Sequence, residues 1–401
     1  MVVFASVFGQ PGCFAGSEEE TSLAGLEEAF DVKVPKALEE GKIPGAVLLV
    51  GIRSGDGFRT WQKAYGLMQA EPCERPMAVD AVFDAASLTK PIATGTSLMI
   101  LADRGRLSVD DPVAKYIPAF DTDEKRDVRV KDLMTHCSGQ APYVGKGERD
   151  KIEAEHGWPC PDAIRDYIVS LKLRHGPPRS NVVYSCLNAI VGALVVEKVS
   201  GESLDSFAAK NIFEPLGLRD TGFKPPVDLH DRIVPTTRSE HSSGEFLRGQ
   251  VHDPLAAMQG GVSGNAGLFS SSQDIGRILQ MMLNGGELDG VRILRPETVR
   301  AMTTVGTPPG LKNLKGNPDR RGLLWDIYQP DPGDTGVDAI FSYGHTGYTG
   351  SAARVYPEKG VFIVANTNRV HPDDSGKVAD FRRMVWRTVG EILMGAGREA
   401  K

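Results

Sequence analysis

Ser87-Leu88-Thr89-Lys90 decides how this chain is interpreted, because it carries the pattern S-x-x-K at the start of a predicted helix. On a helix, residues three apart share a face, about 5–6 Å apart between Cβ atoms, so the lysine amine can lie beside the serine hydroxyl. The pair would combine a nucleophile with a base. Lys90 can accept the serine proton only if burial or a second cation lowers its pKa towards neutrality.

The flanking sequence predicts a helix that begins close to Ser87. An apolar approach occupies residues 82–86, and Pro91 is tolerated only in a first helical turn. The apolar stretch 92–101 then leads to Arg104-Gly105, which is typical of a helix end. Ser87 would therefore lie near a helix N-terminus, where unpaired N–H groups favour negative charge.

Composition and charge exclude several classes of protein. The 401 residues are 41% hydrophobic and 24% charged, which is typical of a globular chain with one two-lobed body or two domains. The net charge is −6, and no basic stretch is interleaved with aromatic residues, so neither nucleic acid nor an anionic membrane is a predicted partner. No run of 18 apolar residues is present, so no membrane span is predicted.

The N-terminus and the cysteines leave the compartment open. Residues 1–16 are apolar and small but lack the Lys or Arg of a signal peptide, so they are interpreted as a plain tail or a trimmed export signal. The cysteines are odd in number and widely spaced, which predicts free thiols rather than a disulfide framework or a zinc site. They are Cys13, Cys73, Cys137, Cys160 and Cys186.

Strand patterns lie near both ends of the chain. Residues 44–51 and 60–65 are predicted strands joined by the turn-rich segment 54–57, and residues 352–356 and 361–365 form a second predicted hairpin. Helices are expected at 22–40, at 190–199, after the Ser271-x-x-Asp274 capping pattern, and in a closing segment capped by Asp374 or Ser375. The polar segment 225–260 is predicted to form long surface loops around a site.

The simplest assembly is an α+β fold, in which an antiparallel sheet from both chain termini is flanked by helices and receives an inserted, mostly helical lobe. The predicted sheet domain comprises residues 17–108 and 322–401, and the inserted domain comprises residues 109–321. The two would form one catalytic unit with a site at their seam.

Three further segments bear on the chemistry. Tyr184, in Tyr184-Ser185-Cys186-Leu187-Asn188, is either a core aromatic residue or a phenol that shuttles a proton beside Lys90. The glycines of residues 344–350 permit either a tight turn or the close backbone approach of a substrate-binding edge strand. Residues 260–270 and 135–139 form shaped turns that could rim a pocket. His136 and Cys137 are adjacent and have no matching partners, so no metal site is predicted.

The order of these motifs resembles one family. S-x-x-K, then Tyr184, then the H-T-G of His345-Thr346-Gly347, with T-H-x-S-G and G-x-x-G-N-A-G-L-F-S between them, is similar to the serine β-lactamase and penicillin-binding protein family. The resemblance is to the branch of class C β-lactamases, DD-carboxypeptidases and related esterases, and it extends from about Ile43 to the C-terminal helix.

The resemblance implies a role for each motif residue. Ser87 would be the acylated nucleophile, Lys90 its neighbouring base, and Tyr184 the residue that activates water or protonates the leaving group. His345, Thr346 and Gly347 would bind substrate, and the backbone N–H groups of Ser87 and Tyr348 would form the oxyanion hole. No cofactor is implied.

Two positions depart from the family pattern. Cys186 stands where the family's Y-x-N motif has an asparagine, which puts recognition of a substrate amide in question and leaves Asn188 as a candidate replacement. His345 stands where most β-lactamases have lysine, so a permanent positive charge for a substrate carboxylate is missing at neutral pH.

We therefore expect a serine hydrolase that forms a covalent acyl-enzyme on an amide or lactam carbonyl of a small molecule or peptidoglycan-like peptide. A short-chain carboxylesterase is the alternative, and a slow-acylating penicillin-binding or sensor module is a third hypothesis. Metal-dependent hydrolysis is not expected. By family analogy the chain would be periplasmic or secreted, or cytoplasmic if it is an esterase, and its oligomeric state stays open.

Overall fold

The computed structural model describes residues 18–395, with side chains from residue 23 onward. The predicted tail at residues 1–16 and Cys13 lie outside this range. The four cysteines within it are free thiols. No helix between residues 18 and 395 is long and apolar enough to cross a membrane.

The strands of the described chain lie in three sheets. They are β1 (Gly45–Ser54), β2 (Gly57–Gln69), β3 (Arg75–Pro76), β4 (Val82–Asp84), β5 (Gly222–Phe223), β6 (Leu268–Ser271), β7 (Glu287–Leu288), β8 (Val291–Arg292), β9 (Asp326–Tyr328), β10 (Ser342–Thr346), β11 (Ala352–Tyr356) and β12 (Val361–Thr367).

The α-helices lie at the two ends of the described chain and, in greater number, in the region between the strands of the main sheet. They are α1 (Glu18–Glu39), α2 (Thr96–Asp103), α3 (Val130–Met134), α4 (Lys146–His156), α5 (Pro161–Ser170), α6 (Cys186–Ser200), α7 (Leu204–Ala208), α8 (Pro254–Met258), α9 (Ser272–Leu283), α10 (Pro296–Thr303) and α11 (Val378–Leu393).

The main sheet has seven strands in the order β3-β2-β1-β12-β11-β10-β9, and every adjacent pair is antiparallel. Strands from both ends of the chain meet at the β1–β12 pair, where Leu49 faces Val364. The predicted α+β fold class is therefore confirmed. The sheet strands fall within the two predicted segments of the sheet domain, while the domain limits themselves stay a prediction.

Alternation along the central strands explains how both faces of the sheet are covered. Leu49 and Val364 pack into the main core with the helices of the inserted region, whereas Leu48, Val50 and Ile363 pack into a second core beneath α1 and α11. Successive side chains of a strand point to opposite faces, so a continuous apolar run is required when both faces are buried.

Helix caps were predicted correctly in one case and wrongly in another. Ser271 caps α9 through its Oγ, which accepts the Asp274 N–H at 3.2 Å. By contrast, α11 begins at Val378, so the prediction that Asp374 or Ser375 caps it is wrong. The Asp374 carboxylate instead accepts hydrogen bonds from the Tyr348 hydroxyl and from Arg369.

The predicted helix after Ser87 is built from three successive geometries. Ala86–Leu88 forms a 3₁₀ turn, Lys90–Gly95 forms a π-helical turn, and only Thr96–Asp103 is α-helical. Pro91 lies at the start of the π-helical turn, in agreement with a helix that begins near Ser87. Such departures from the α-helical repeat are frequent at functional sites.

Removing the Phe381 ring should destabilise the fold strongly. Phe381 is fully buried in the core beneath α1 and α11, and deletion of a buried aromatic ring costs about 3–5 kcal/mol. We expect Phe381→Ala to lower the free energy of unfolding in urea by that amount. Val32→Ala on α1 is the matched control because Val32 is 73% exposed. Equal effects of the two substitutions would contradict this packing.

Candidate active site

Ser87 and Lys90 lie in direct contact. The Lys90 Nζ donates to Ser87 Oγ at 2.9 Å and to the backbone oxygen of Asn265 at 2.9 Å. The lysine side chain is completely buried. Ser87 lies in the 3₁₀ turn Ala86–Leu88, and Lys90 begins the π-helical turn that follows it.

The backbone that carries Ser87 is strained and held by a buried carboxylate. Ala86 has a left-handed φ of +45°, which costs a residue with a Cβ about 1–3 kcal/mol. The Asp84 Oδ1 accepts the Ala86 N–H at 2.8 Å, and Oδ2 accepts the His252 N–H at 2.7 Å. Burial raises the pKa of Asp84. The conformation of the nucleophile turn therefore depends on side chains outside the motif.

Residues 260–270, predicted as a rim, pack directly against the nucleophile helix. The Thr94 Oγ1 donates to the Gly264 oxygen at 2.8 Å, and the Leu268 N–H donates to Thr89 Oγ1 at 3.1 Å. A Cβ at Gly264 would lie only 2.0 Å from the Ala189 oxygen, so this position requires glycine. This packing brings the backbone oxygen of the next residue, Asn265, to Lys90.

Tyr184 is the residue on which the surrounding charged and aromatic groups converge. The Lys90 Nζ lies 5.1 Å from its ring centroid, and the Arg321 Cζ lies 5.5 Å from it. The imidazoles of His136 and His345 lie 4.7 Å and 6.0 Å from it, between ring centroids. The structure therefore brings Tyr184 together with Lys90.

Burial and neighbouring groups shift the pKa values of Tyr184 and Lys90 in opposite directions. Burial raises the pKa of the Tyr184 phenol, and Lys90 and Ser87 oppose this shift without cancelling it. Burial lowers the pKa of the Lys90 ammonium, but the neighbouring Cys186 thiol and Tyr184 phenol raise it more. To act as a base at rest, Lys90 would need a pKa lowered towards neutrality, whereas its surroundings raise that pKa. Lys90 is an ammonium at rest.

His136 is held as a neutral imidazole in an unusual backbone conformation. Its φ is +59°, and its Nδ1 accepts the Ser185 N–H at 3.2 Å. Burial, helped by the Arg321 and Lys90 charges, keeps the pKa of His136 well below its usual value. The T-H-x-S-G motif thus supplies a wall of the Tyr184 site.

The H-T-G triplet lies at an open edge of the sheet. β9 pairs with β10 only as far as Gly344, so His345 and Thr346 have no strand beyond them on that side. The His345 side chain is buried, and burial lowers its pKa to about 4. The triplet therefore offers no positive charge at neutral pH.

The residues before and after Tyr348 contact the chain next to the nucleophile turn. A Cβ at Gly347 would lie 2.6 Å from the Ala85 oxygen, and Thr349 Oγ1 donates to the Asp84 oxygen at 2.7 Å. The Tyr348 side chain is 55% exposed and stacks on His252 with ring centroids 5.7 Å apart. The residues on either side of Tyr348 thus contact Ala85 and Asp84, which immediately precede the nucleophile turn.

Asn188 does not replace the missing asparagine. Its Oδ1 accepts from Ser138 Oγ at 2.6 Å and from Gln140 Nε2 at 2.9 Å, and its Nδ2 contacts His136 Nδ1 at 3.3 Å. The side chain is buried and its polar atoms are hydrogen-bonded within the protein, which leaves no free amide for a substrate, so the structure does not support Asn188 as the replacement. It was misplaced because Ser185 caps α6, which begins at Cys186 rather than near Ile190.

Cys186 lies at the site without offering an amide. Burial raises the pKa of its thiol, although Lys90 and Asn265 beside it act in the opposite direction. The Asn265 side chain is also completely buried, with Oδ1 accepting from Ser263 Oγ at 2.7 Å. Its Nδ2 has no hydrogen-bond partner among residues 18–395.

Two contributors to the site were not predicted as such. Asn265 lies inside a recognised motif, but nothing in that motif indicates that its backbone oxygen binds Lys90. Arg321 belongs to no motif; its guanidinium forms ion pairs with Asp319, at 2.6 Å, and with Asp326. Its position over Tyr184 arises only from tertiary packing.

The comparisons with known proteins agree with this geometry. The β-lactamase family model matches residues 30–385. A relative from Escherichia coli K12, named "Putative D-alanyl-D-alanine carboxypeptidase", is 31% identical over 316 residues, which cover 72% of this chain and 69% of the relative.

Two solved structures show the same fold at low sequence identity. A class C β-lactamase from Rhodobacter sphaeroides is 21% identical, with a TM-score of 0.65 and coverage of 92% of this chain and 98% of that one. EstCE1, described as a hydrolase with promiscuous acyltransferase activity, is 20% identical, with a TM-score of 0.69 and coverage of 93% and 100%. The chain belongs to the β-lactamase family and is a serine hydrolase of the branch that contains DD-carboxypeptidase-like relatives.

Proposed function

We propose that this protein hydrolyses a carboxylic acid derivative through an acyl-enzyme formed on Ser87. The observation that carries the proposal is the 2.9 Å contact between Ser87 Oγ and the buried Lys90 Nζ, with the Tyr184 ring beside it. A serine is nucleophilic only when a neighbouring group accepts its proton.

The roles follow from the contacts. Ser87 Oγ would attack the carbonyl carbon. Its proton would be accepted by the Lys90–Tyr184 pair, which must first have released one proton of its own to solvent. The backbone N–H groups of Ser87 and Tyr348 would stabilise the oxyanion, and Tyr184 would return the proton to the leaving group. Water would then cleave the acyl ester by the same route. Lys90 and Arg321 flank the Tyr184 ring and would stabilise a transient phenolate.

For the substrate, we propose a DD-carboxypeptidase-like amide first, because the relatives at about 30% identity carry that name. An ester is the second candidate, and specific observations favour it. Cys186 replaces the family's asparagine, and Asn188 is committed to other partners, so neither position of this segment offers a free amide to a substrate N–H or carbonyl. The Asn265 Nδ2 beside Cys186 is the unpartnered amide of the described site, and it is buried. If the substrate is a cell-wall peptide, the protein would act outside the cytoplasmic membrane.

Covalent labelling tests the nucleophile. A fluorophosphonate should add one adduct mass to the intact protein, and Ser87→Ala should abolish the adduct because Ser87 supplies the serine hydroxyl that contacts Lys90 Nζ. Ser97→Ala is the matched control: this buried serine lies one helical segment away on α2. An adduct that persists in Ser87→Ala would refute the assignment.

Substrate comparison separates the two candidates. We expect turnover of a D-Ala-D-Ala peptide, of a chromogenic cephalosporin, or of both, together with cleavage of an activated p-nitrophenyl ester. Cleavage of the ester alone would reject the peptidase and support the esterase. In that case Cys186→Asn, which restores the family amide, should increase amide turnover relative to ester turnover.

The pH dependence should be alkaline. The pKa values of Lys90 and Tyr184 are both raised, so the basic form of the pair becomes more populated as the pH rises. We expect kcat/KM to increase by about tenfold per pH unit between pH 7 and pH 9. His345, with its pKa near 4, should add no inflection between pH 5 and pH 8. A plateau that begins near pH 7 would show that the pair loses its proton more easily than its surroundings indicate.

A further inference from the structure

A cavity of about 490 Å³ opens next to the proposed active site. Its walls come from α4, α8 and the irregular chain between β5 and α8. His252 links it to the nucleophile turn, because this lining residue stacks on Tyr348 and donates its N–H to Asp84. A second lining residue, Phe269, pairs with Asp84 in the β4–β6 ladder.

In the proposed function, the cavity would lie on the acyl side of the reacting carbonyl. The leaving group must reach Tyr184, which returns its proton in the proposed function. The cavity lining does not include Tyr184 or the residues around it, Lys90, Arg321 and His345. It does include His252, whose ring stacks on Tyr348, the residue proposed for the oxyanion hole. A substrate that presents its leaving group to Tyr184 would therefore extend its acyl chain towards the cavity.

The acidic side chains of the cavity are engaged by neighbouring basic groups. Asp150 and Glu240 both contact the Lys146 Nζ, at 3.0 Å and 3.6 Å. Glu153 lies 3.5 Å from His241, whose ring in turn stacks on Trp158 at 3.7 Å between centroids. These carboxylates thus have partners within the cavity wall.

Two cations remain without an acidic partner. Among residues 18–395, neither Arg149 nor Lys224 has a carboxylate within 4.0 Å, whereas Arg238, which also lines the cavity, pairs with Glu71 at 3.6 Å. The Arg149 guanidinium is held against Tyr143, with its Cζ 5.4 Å from the ring centroid and Nη1 3.5 Å from the hydroxyl.

Lys224 is also fixed in place. Its backbone is left-handed, with a φ of +47°, an unusual conformation for a residue with a long side chain. Its methylenes lie over Gly261, where a built Cβ would be 3.5 Å from Cγ and 3.6 Å from Cε. The lysine stem therefore packs against this glycine, and Lys224 lines the cavity.

We propose that the substrate's acyl chain ends in a carboxylate that Arg149 and Lys224 bind in this cavity. The apolar walls, which include Trp158, Leu247 and Met258, suit the alkyl part of such a chain. The H-T-G triplet has a neutral His345 and cannot supply this charge. The proposal rests on the acyl-enzyme function and specifies the class of acyl group it takes.

The test compares matched esters on the purified full-length protein. Each mono-p-nitrophenyl ester of adipic or suberic acid is paired with p-nitrophenyl hexanoate or octanoate, which has the same chain length and no charge. We expect kcat/KM to favour the carboxylate ester by about tenfold at low salt. The preference should shrink as sodium chloride is added, because salt screens exposed charges.

Single substitutions assign the effect to the two cations. Lys224→Met and Arg149→Met should each lower the ratio of kcat/KM for the charged ester over the neutral one by about five- to tenfold. Lys224→Arg should retain the ratio. Lys146→Met is the matched control, since this cation of the same cavity is already paired with Asp150 and Glu240, and the ratio should stay within about twofold.

The outcomes separate the subsite from the chemistry. Turnover of both esters with no preference for the carboxylate, or a ratio that Lys146→Met changes as much as Lys224→Met does, overturns the subsite alone. Absence of both turnover and a Ser87 adduct overturns the proposed function and the subsite with it.

Discussion

The burial of the Lys90 ammonium is the constraint on which the rest of the site depends. Moving an ammonium out of water costs several kcal/mol unless polar groups replace the lost hydration. Here the Ser87 hydroxyl and the Asn265 backbone oxygen accept its hydrogen bonds, and the face of Tyr184 lies nearby. Three separate segments of the chain must therefore converge on one nitrogen atom. Any movement of one of them would leave a buried charge without a partner.

The need to bind the Lys90 ammonium also explains the backbone conformation of segments that contribute no catalytic side chain. Residues 260–270 must approach the nucleophile helix closely to deliver the Asn265 oxygen, which is why Gly264 has no room for a Cβ. The strained Ala86 is held by a carboxylate, Asp84, that is itself buried and tied to His252. The strain at the nucleophile is maintained by neighbouring hydrogen bonds and is not a local preference of the motif.

Much of the fold could be predicted because it depends on local patterns. The β11–β12 hairpin and the cap at Ser271 follow from alternation, turn residues and side-chain capping, all of which act within a few residues. The α11 cap was mispredicted because Asp374 forms its contacts across the chain with Tyr348, and a sequence pattern cannot distinguish a local partner from a distant one.

The same distinction applies to the site. Ser87, Lys90 and Tyr184 were identified because the order of motifs indicates a family, and the structure brings all three together. Arg321 could not be found, since its place over Tyr184 results from a loop with no motif. The burial of Asn188 could not be predicted, because one residue of helix phase decides whether a side chain faces the active site or the core. The direction of the Lys90 pKa shift could not be predicted from the sequence, because it depends on which groups surround the nitrogen.

The change of helical pitch at the nucleophile has a consequence for anyone who would transplant this chemistry. The serine sits in a 3₁₀ turn and the lysine opens a π-helical one, so the two side chains emerge where the backbone winds first too tightly and then too loosely. An ideal α-helix bearing the same four letters would rotate the amine around the axis relative to the hydroxyl. A designed scaffold that copied the motif alone would keep the two side chains on one face but would set the angle between them by the α-helical repeat, and it would not reproduce the uneven winding found here.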